Sequence, residues 1–172
     1  DQADPAEVQA VLEEYFAEMT AIVFKHNGIV DKYMGDGILA FFENPPDGVT
    51  SAQAAVKSAV QMMEKAAALD KKYNDQKRFP FSIYVGVATG YAQVGNIGPP
   101  EKVDYTIIGS VVNRASRLDG PGDPGDILMD EEGSALKFKD KISAWRYMER
   151  MCKEFNIDHQ LMEDDVELWR LH

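Results

Sequence analysis

Between residues 5 and 42 the apolar pattern changes period, and that change restricts the fold more than any other feature of the chain. Val8, Val11, Leu12, Tyr15, Phe16, Met19, Ile22 and Val23 recur at helical spacing, so one stripe of a helix must face a core. Asp4 is placed to cap this helix, Pro5 takes its first position, and Glu7 completes a capping box. Gly28 marks the stop after His26-Asn27. Two short apolar runs follow, 29–34 and 38–42, joined around Gly35-Asp36-Gly37. An Asp-Gly turn between such runs predicts a β-hairpin.

The same alternation continues. After a loop with Pro45 and Pro46, a second helix is expected over 51–73, with Ala52, Ala55, Val56, Ala59, Val60 and Met63 on one face. Segments 81–88 and 91–97 read as two strands joined near Thr89-Gly90. Residues 110–118 read as a short helix, 119–125 as a turn-rich loop, 127–129 as a short strand and 144–147 as a last strand. Helices alternating with hairpins point to an α+β fold, helices covering one side of a largely antiparallel sheet. The 172 residues suit one domain with one core. No run of roughly 18 or more apolar residues appears, and the start, Asp1-Gln2-Ala3-Asp4, shows no signal peptide. Cys152 stands alone and cannot form an internal disulfide, which favours a reducing compartment. A net charge of −11 argues against nucleic acid as partner. It does not argue against a nucleotide, which needs only a few focused cations and a metal.

Four segments carry chemistry-bearing residues. In Asp31-Lys32-Tyr33-Met34-Gly35-Asp36-Gly37, the carboxylate at the hairpin tip is approachable and suits Mg²⁺, a cation that takes hard oxygen ligands. By itself, Asp-Gly at a hairpin is more often just turn chemistry. In Asp104-Tyr105-Thr106-Ile107-Ile108-Gly109 and the helix after it, Asn113 and Arg117 are four apart and share a face. Together they can hold a ribose and a developing phosphate charge, or form a solvated surface. Lys137-Phe138-Lys139-Asp140-Lys141 can cap a triphosphate or be a solvated edge. Gly86, Gly90, Gly95 and Gly98 lack the Gly-Lys-Ser/Thr of a phosphate loop and read as hairpin glycines.

Taken in order, these segments resemble one family. Asp4-Pro5-Ala6-Glu7-Val8, Val30-Asp31-Lys32-Tyr33-Met34-Gly35-Asp36-Gly37, Val85-Gly86-Val87-Ala88-Thr89-Gly90, Val94-Gly95-Asn96-Ile97-Gly98, Asp104 to Gly109, Val112-Asn113, Ala115-Ser116-Arg117-Leu118 and Pro124-Gly125-Asp126-Ile127-Leu128 stand at the spacing of a class III adenylate/guanylate cyclase catalytic domain. The resemblance runs from about residue 4 to residue 129. It implies a ferredoxin-like α+β core, with helices packed on a central, mostly antiparallel sheet, and a head-to-tail homodimer with sites at the interface. Residues 1–148 would form the catalytic domain and 149–172 a C-terminal extension of unknown role.

Carried over residue by residue, Asp36 matches the second of two metal-binding aspartates and Lys32 the lysine that reads adenine. Thr106 takes the partner position for base recognition, Asn113 orients the ribose, and Arg117 stabilises the pentavalent phosphorus. Lys139 is a looser match to a triphosphate-binding lysine. The aspartates would come from one subunit and Lys32, Thr106, Asn113, Arg117 and Lys139 from the other. Two Mg²⁺ or Mn²⁺ ions per site and ATP as substrate are implied, with regulatory domains outside this chain and a cytoplasmic location. Guanylate cyclases of the family typically carry Glu where Lys32 stands. The Lys/Thr pair resembles a bacterial subgroup that includes bicarbonate-responsive members. The family's first metal aspartate lies on a strand before the first helix, and this chain starts after it; the stretch 130–137 is also shorter than the family's. Two other readings stay open: a degenerate cyclase-like regulatory or dimerisation module, and a guanylate cyclase. A diguanylate cyclase would need Gly-Gly-Asp/Glu-Glu-Phe at the hairpin, which Gly35-Asp36-Gly37 does not supply.

Overall fold

The computed structural model describes residues 4–43, 45, 48–75, 81–118, 127–131 and 134–138. Lys139, the strand expected over 144–147 and the domain boundary at 148 lie outside the described residues. In chain order the elements are α1 (Pro5–Lys25), β1 (Ile29–Met34), β2 (Gly37–Phe41), α2 (Ser51–Asp75), β3 (Val85–Val87), β4 (Gln93–Ile97), β5 (Asp104–Ile108), α3 (Ser110–Arg117), β6 (Ile127–Glu131) and β7 (Ser134–Phe138). Helices and strands mix along the chain, so the class is α+β.

Helix α1 starts where the sequence places it. Asp4 Oδ1 accepts the Ala6 amide at 3.1 Å, and Pro5 fills the first position. Asp4's carboxylate thus closes on the second helical amide, while Glu7's amide goes to the Asp4 carbonyl. At the other end Asn27 N donates to Phe24 O at 3.0 Å and Gly28 N to Val23 O at 2.9 Å, the paired bonds of a Schellman ending. The left-handed residue is Asn27, at φ 58°. Gly28 is needed for space instead: a Cβ there would sit 2.5 Å from the Phe42 ring.

Val11, Tyr15, Met19 and Ile22 of α1 pack on Ala66, Leu69 and Tyr73 of α2. Phe81 meets the rings of Tyr15 and Tyr73 edge-on. Tyr73 is fully buried and satisfies its hydroxyl by donating to Glu14 Oε2 at 2.8 Å. The buried face of α2 is broader than one stripe. Val56, Ala59 and Val60 are buried as expected, but Gln53, Ala54 and Ser58 are buried in place of Ala52, Ala55 and Met63. Two causes are visible. Helix α2 packs against both α1 and β3. Gln53 also belongs to a capping box, accepting Thr50 N at 2.8 Å while its own amide donates to Thr50 Oγ1 at 3.1 Å.

Among the described residues the strands form three hydrogen-bonded groups. β1 and β2 pair antiparallel as the expected hairpin, and β4 pairs antiparallel with β5. β6 lies between β3, to which it is parallel, and β7, to which it is antiparallel. Three expectations change here. The strand read over 81–88 shrinks to Val85–Val87; it does not form a hairpin with 91–97; and a strand not expected from the sequence, β7, takes in the first two residues of the lysine-rich stretch 137–141. The physical reason for the first two lies in burial. Ile127, Leu128 and Met129 of β6 are all buried, and a parallel pair needs such apolar cover. The Thr89 carbonyl, at the supposed turn, accepts instead from Arg114 Nη2 of α3 at 2.9 Å.

Candidate active site

The hairpin, β5 and α3 carry the expected site residues. Lys32 stands on β1 opposite Leu39, and Thr106 on β5 opposite Gly95. Their side chains meet: Lys32 Nζ donates to Thr106 Oγ1 at 3.5 Å. Residues 74 positions apart in the chain are therefore brought together. Lys32 remains half exposed, so the ammonium keeps donors free for a ligand.

Asp36 lies on the exposed β1–β2 turn, after Gly35 at φ 64°. Its charge reaches the helix below. The Tyr15 phenol is pushed up to about 12, first by burial and second by the Asp36 carboxylate. Among the described residues, no group of three or more His, Cys, Asp or Glu gathers to hold a metal. Asp36 alone fits the way Mg²⁺ is often held, by one or two carboxylates with water and substrate phosphates completing the shell.

Helix α3 presents Asn113 and Arg117 to solvent one turn apart. Asn113 joins Ile107, Ile108, Gly109, Ser110 and Val112 in lining an open pocket of about 450 Å³ at the β5–α3 junction. Arg117 is outside that lining. The helix sits directly on β3, where a Cβ on Gly86 would lie 2.9 Å from Ala115 O. Arg114 fixes it further: Nη2 holds the Thr89 carbonyl, and Nη1 donates to Ser110 Oγ at 3.4 Å. Reading the sequence gives Arg114 no role; it stands one residue after Asn113 and three before Arg117, and nothing in that order marks it as the clamp of the helix.

Asp31 was also passed over as a separate group. In a regular strand it would point away from Lys32. The β1–β2 register shifts between Val30 and Lys32, leaving Asp31 as the extra residue of a bulge. Its side chain is fully buried, with Oδ2 3.1 Å from Lys32 Nζ.

The family model for the adenylate and guanylate cyclase catalytic domain matches residues 1–157. The chain belongs to that family. Among relatives of this cyclase domain, Adenylate cyclase 1 of Rhizobium meliloti (strain 1021) is 34% identical over 139 residues, covering 80% of this chain and 21% of the relative. The adenylyl cyclase CyaB from P. aeruginosa superposes with a TM-score of 0.69 at 33% identity, covering 77% of this chain and 69% of that one. The guanylyl cyclase Cya2 superposes with a TM-score of 0.64 at 25% identity, covering 78% of this chain and 79% of that one. This cyclase domain spans about a fifth of the length of the curated relative from Rhizobium. No helix among its described residues is long and apolar enough to cross a membrane.

Proposed function

We propose that this cyclase domain converts ATP to 3′,5′-cyclic AMP and pyrophosphate at sites shared between two copies of the chain. The observation that carries the choice of ATP is the contact between Lys32 and Thr106. Adenine presents an acceptor at N1 and a donor at N6. Lys32 has only donors and suits N1; the Thr106 hydroxyl can accept from N6. Guanine has donors at N1 and N2, so its N1–H would face the Lys32 ammonium and both groups would lose a partner. The adenylate cyclase names of the Rhizobium and P. aeruginosa relatives support the same choice.

In the reaction the ribose 3′-oxygen attacks the α-phosphorus, the bond to the bridging oxygen breaks, pyrophosphate leaves, and the 3′ proton passes to solvent. The attacking oxygen belongs to the substrate, so the chain supplies position and charge. Asn113, which lines the pocket, orients the ribose. Arg117 meets the negative charge that grows on the phosphoryl oxygens. Asp36 of the other copy would hold a divalent cation, which supplies charge neutralisation of the triphosphate and a more acidic 3′-hydroxyl when bound. Lys139, outside the described residues, would bind the triphosphate tail.

The test is to incubate the intact protein with Mn²⁺ and either ATP or GTP and separate the products. Cyclic AMP formed in clear excess over cyclic GMP is expected. Cyclic GMP in excess would make it a guanylate cyclase, and no cyclic product from either would leave a regulatory or dimerisation module.

A further inference from the structure

We propose that Asp31 is the positioning residue for Lys32, and that the bulge carrying it sets the preference for adenine over guanine; this rests on the base-reading role given to Lys32 above. A regular strand sends consecutive side chains to opposite faces. Here the extra residue between Val30 and Lys32 breaks that alternation, and the Asp31 carboxylate ends 3.1 Å from the Lys32 ammonium.

The carboxylate itself is the second observation. Its side chain is 0% exposed, and neither oxygen accepts a hydrogen bond of good geometry among the described residues. Burying a carboxylate with so little compensation opposes folding. A group of this kind is better placed to act on its neighbour than to hold the fold together. What it faces is Lys32, whose other contact is Thr106 Oγ1. Asp31, Lys32 and Thr106 therefore form a line from a buried anion, through a half-exposed cation, to a hydroxyl. The anion draws the flexible lysine back against the sheet, so that its remaining donors point where adenine N1 would lie. A lysine held in that place has only donors to offer, and donors meet the guanine N1–H badly.

The experiment compares Asp31→Asn, Asp31→Glu and Lys32→Ala in the intact protein, by steady-state kinetics with ATP and GTP and by equilibrium binding of a non-cyclisable ATP analogue. Asp31→Asn keeps the shape and removes the charge. It should raise KM for ATP and weaken analogue binding about ten-fold, shrink the ATP-over-GTP ratio, and leave kcat within a few-fold. Asp31→Glu keeps the charge and should retain more of the ratio than Asp31→Asn. Lys32→Ala should lose the ratio altogether. If Asp31→Asn keeps the wild-type ratio and affinity while Lys32→Ala loses them, the positioning role is wrong and the base-reading role stands. If Lys32→Ala also keeps the ratio, both fall. If Asp31→Asn melts well below wild type, the decision rests on Asp31→Glu: equal loss of the ratio in both variants would mean that Asp31 acts through packing alone.

Discussion

Arg114 and Arg117 lie three residues apart on α3, yet their surroundings differ. Arg117 is exposed and free to meet substrate, whereas Arg114 is spent on the Thr89 carbonyl and Ser110. Arg117→Ala should therefore lower turnover by about 10²–10³-fold with no change in melting temperature. Arg114→Ala should instead lower stability by about 1 kcal/mol, and initial rates beside thermal melts separate the two. Tyr15 gives a pH prediction with a definite sign. Its phenol is raised from the ordinary 10.0 to about 12, so the folded state favours the neutral ring. That contribution is whole below pH 10.0 and lost as pH rises through about 12, roughly 2–3 kcal/mol in all. Chemical denaturation across this window should show a steeper alkaline decline in wild type than in Tyr15→Phe; equal slopes would contradict it. Lys32, Thr106, Asp36, Asn113 and Arg117 were legible as candidates in the sequence because short segments resemble those of the cyclase family. Asp31 was not, because strand alternation aims it away from Lys32 and a bulge leaves no mark in the order of residues.

At the level of elements, what was legible was local. The α1 cap, the Gly35-Asp36 turn and the apolar stripe of α1 each depend on residues within a few positions of one another. What was not legible was pairing at a distance. β3 finds β6 some 40 residues away rather than β4 next to it, and nothing in the sequence of Val85-Gly86-Val87 names that partner. The same close packing makes Gly86 a sensitive position. A Cβ there meets the Ala115 carbonyl at 2.9 Å and Leu118 Cβ at 3.0 Å, and the first of these is helix backbone that cannot rotate away. Gly86→Ala should destabilise the domain by about 1–3 kcal/mol. Because Asn113 and Arg117 ride on α3, it should also lower kcat more than it changes KM for ATP. A variant with wild-type kcat would show that α3 can shift without disturbing the site. Thr50→Val, which breaks the α2 capping box, should cost about 1 kcal/mol in urea melts and leave catalysis alone.

At the scale of the whole molecule, the described residues leave several large apolar side chains exposed near the site, among them Tyr33, Met34, Val103, Tyr105 and Ile108 on β1, β5 and the loop before β5. Exposed apolar surface of this kind suits contact with another protein surface, and a second copy in a head-to-tail arrangement would bring the Asp36 turn to the partner's α3. Specific activity should then rise with protein concentration over the range in which sedimentation shows dimers forming. Mixing two inactive variants tests the shared site most directly. In a dimer of Asp36→Ala with Arg117→Ala, one site carries both substitutions and the other carries neither. Each variant alone should be nearly inactive, and an equal mixture should recover about a quarter of wild-type activity, since about half of randomly formed dimers are mixed and each has one intact site. A mixture no more active than its components would place Asp36 and Arg117 in the same subunit's site and contradict the shared arrangement.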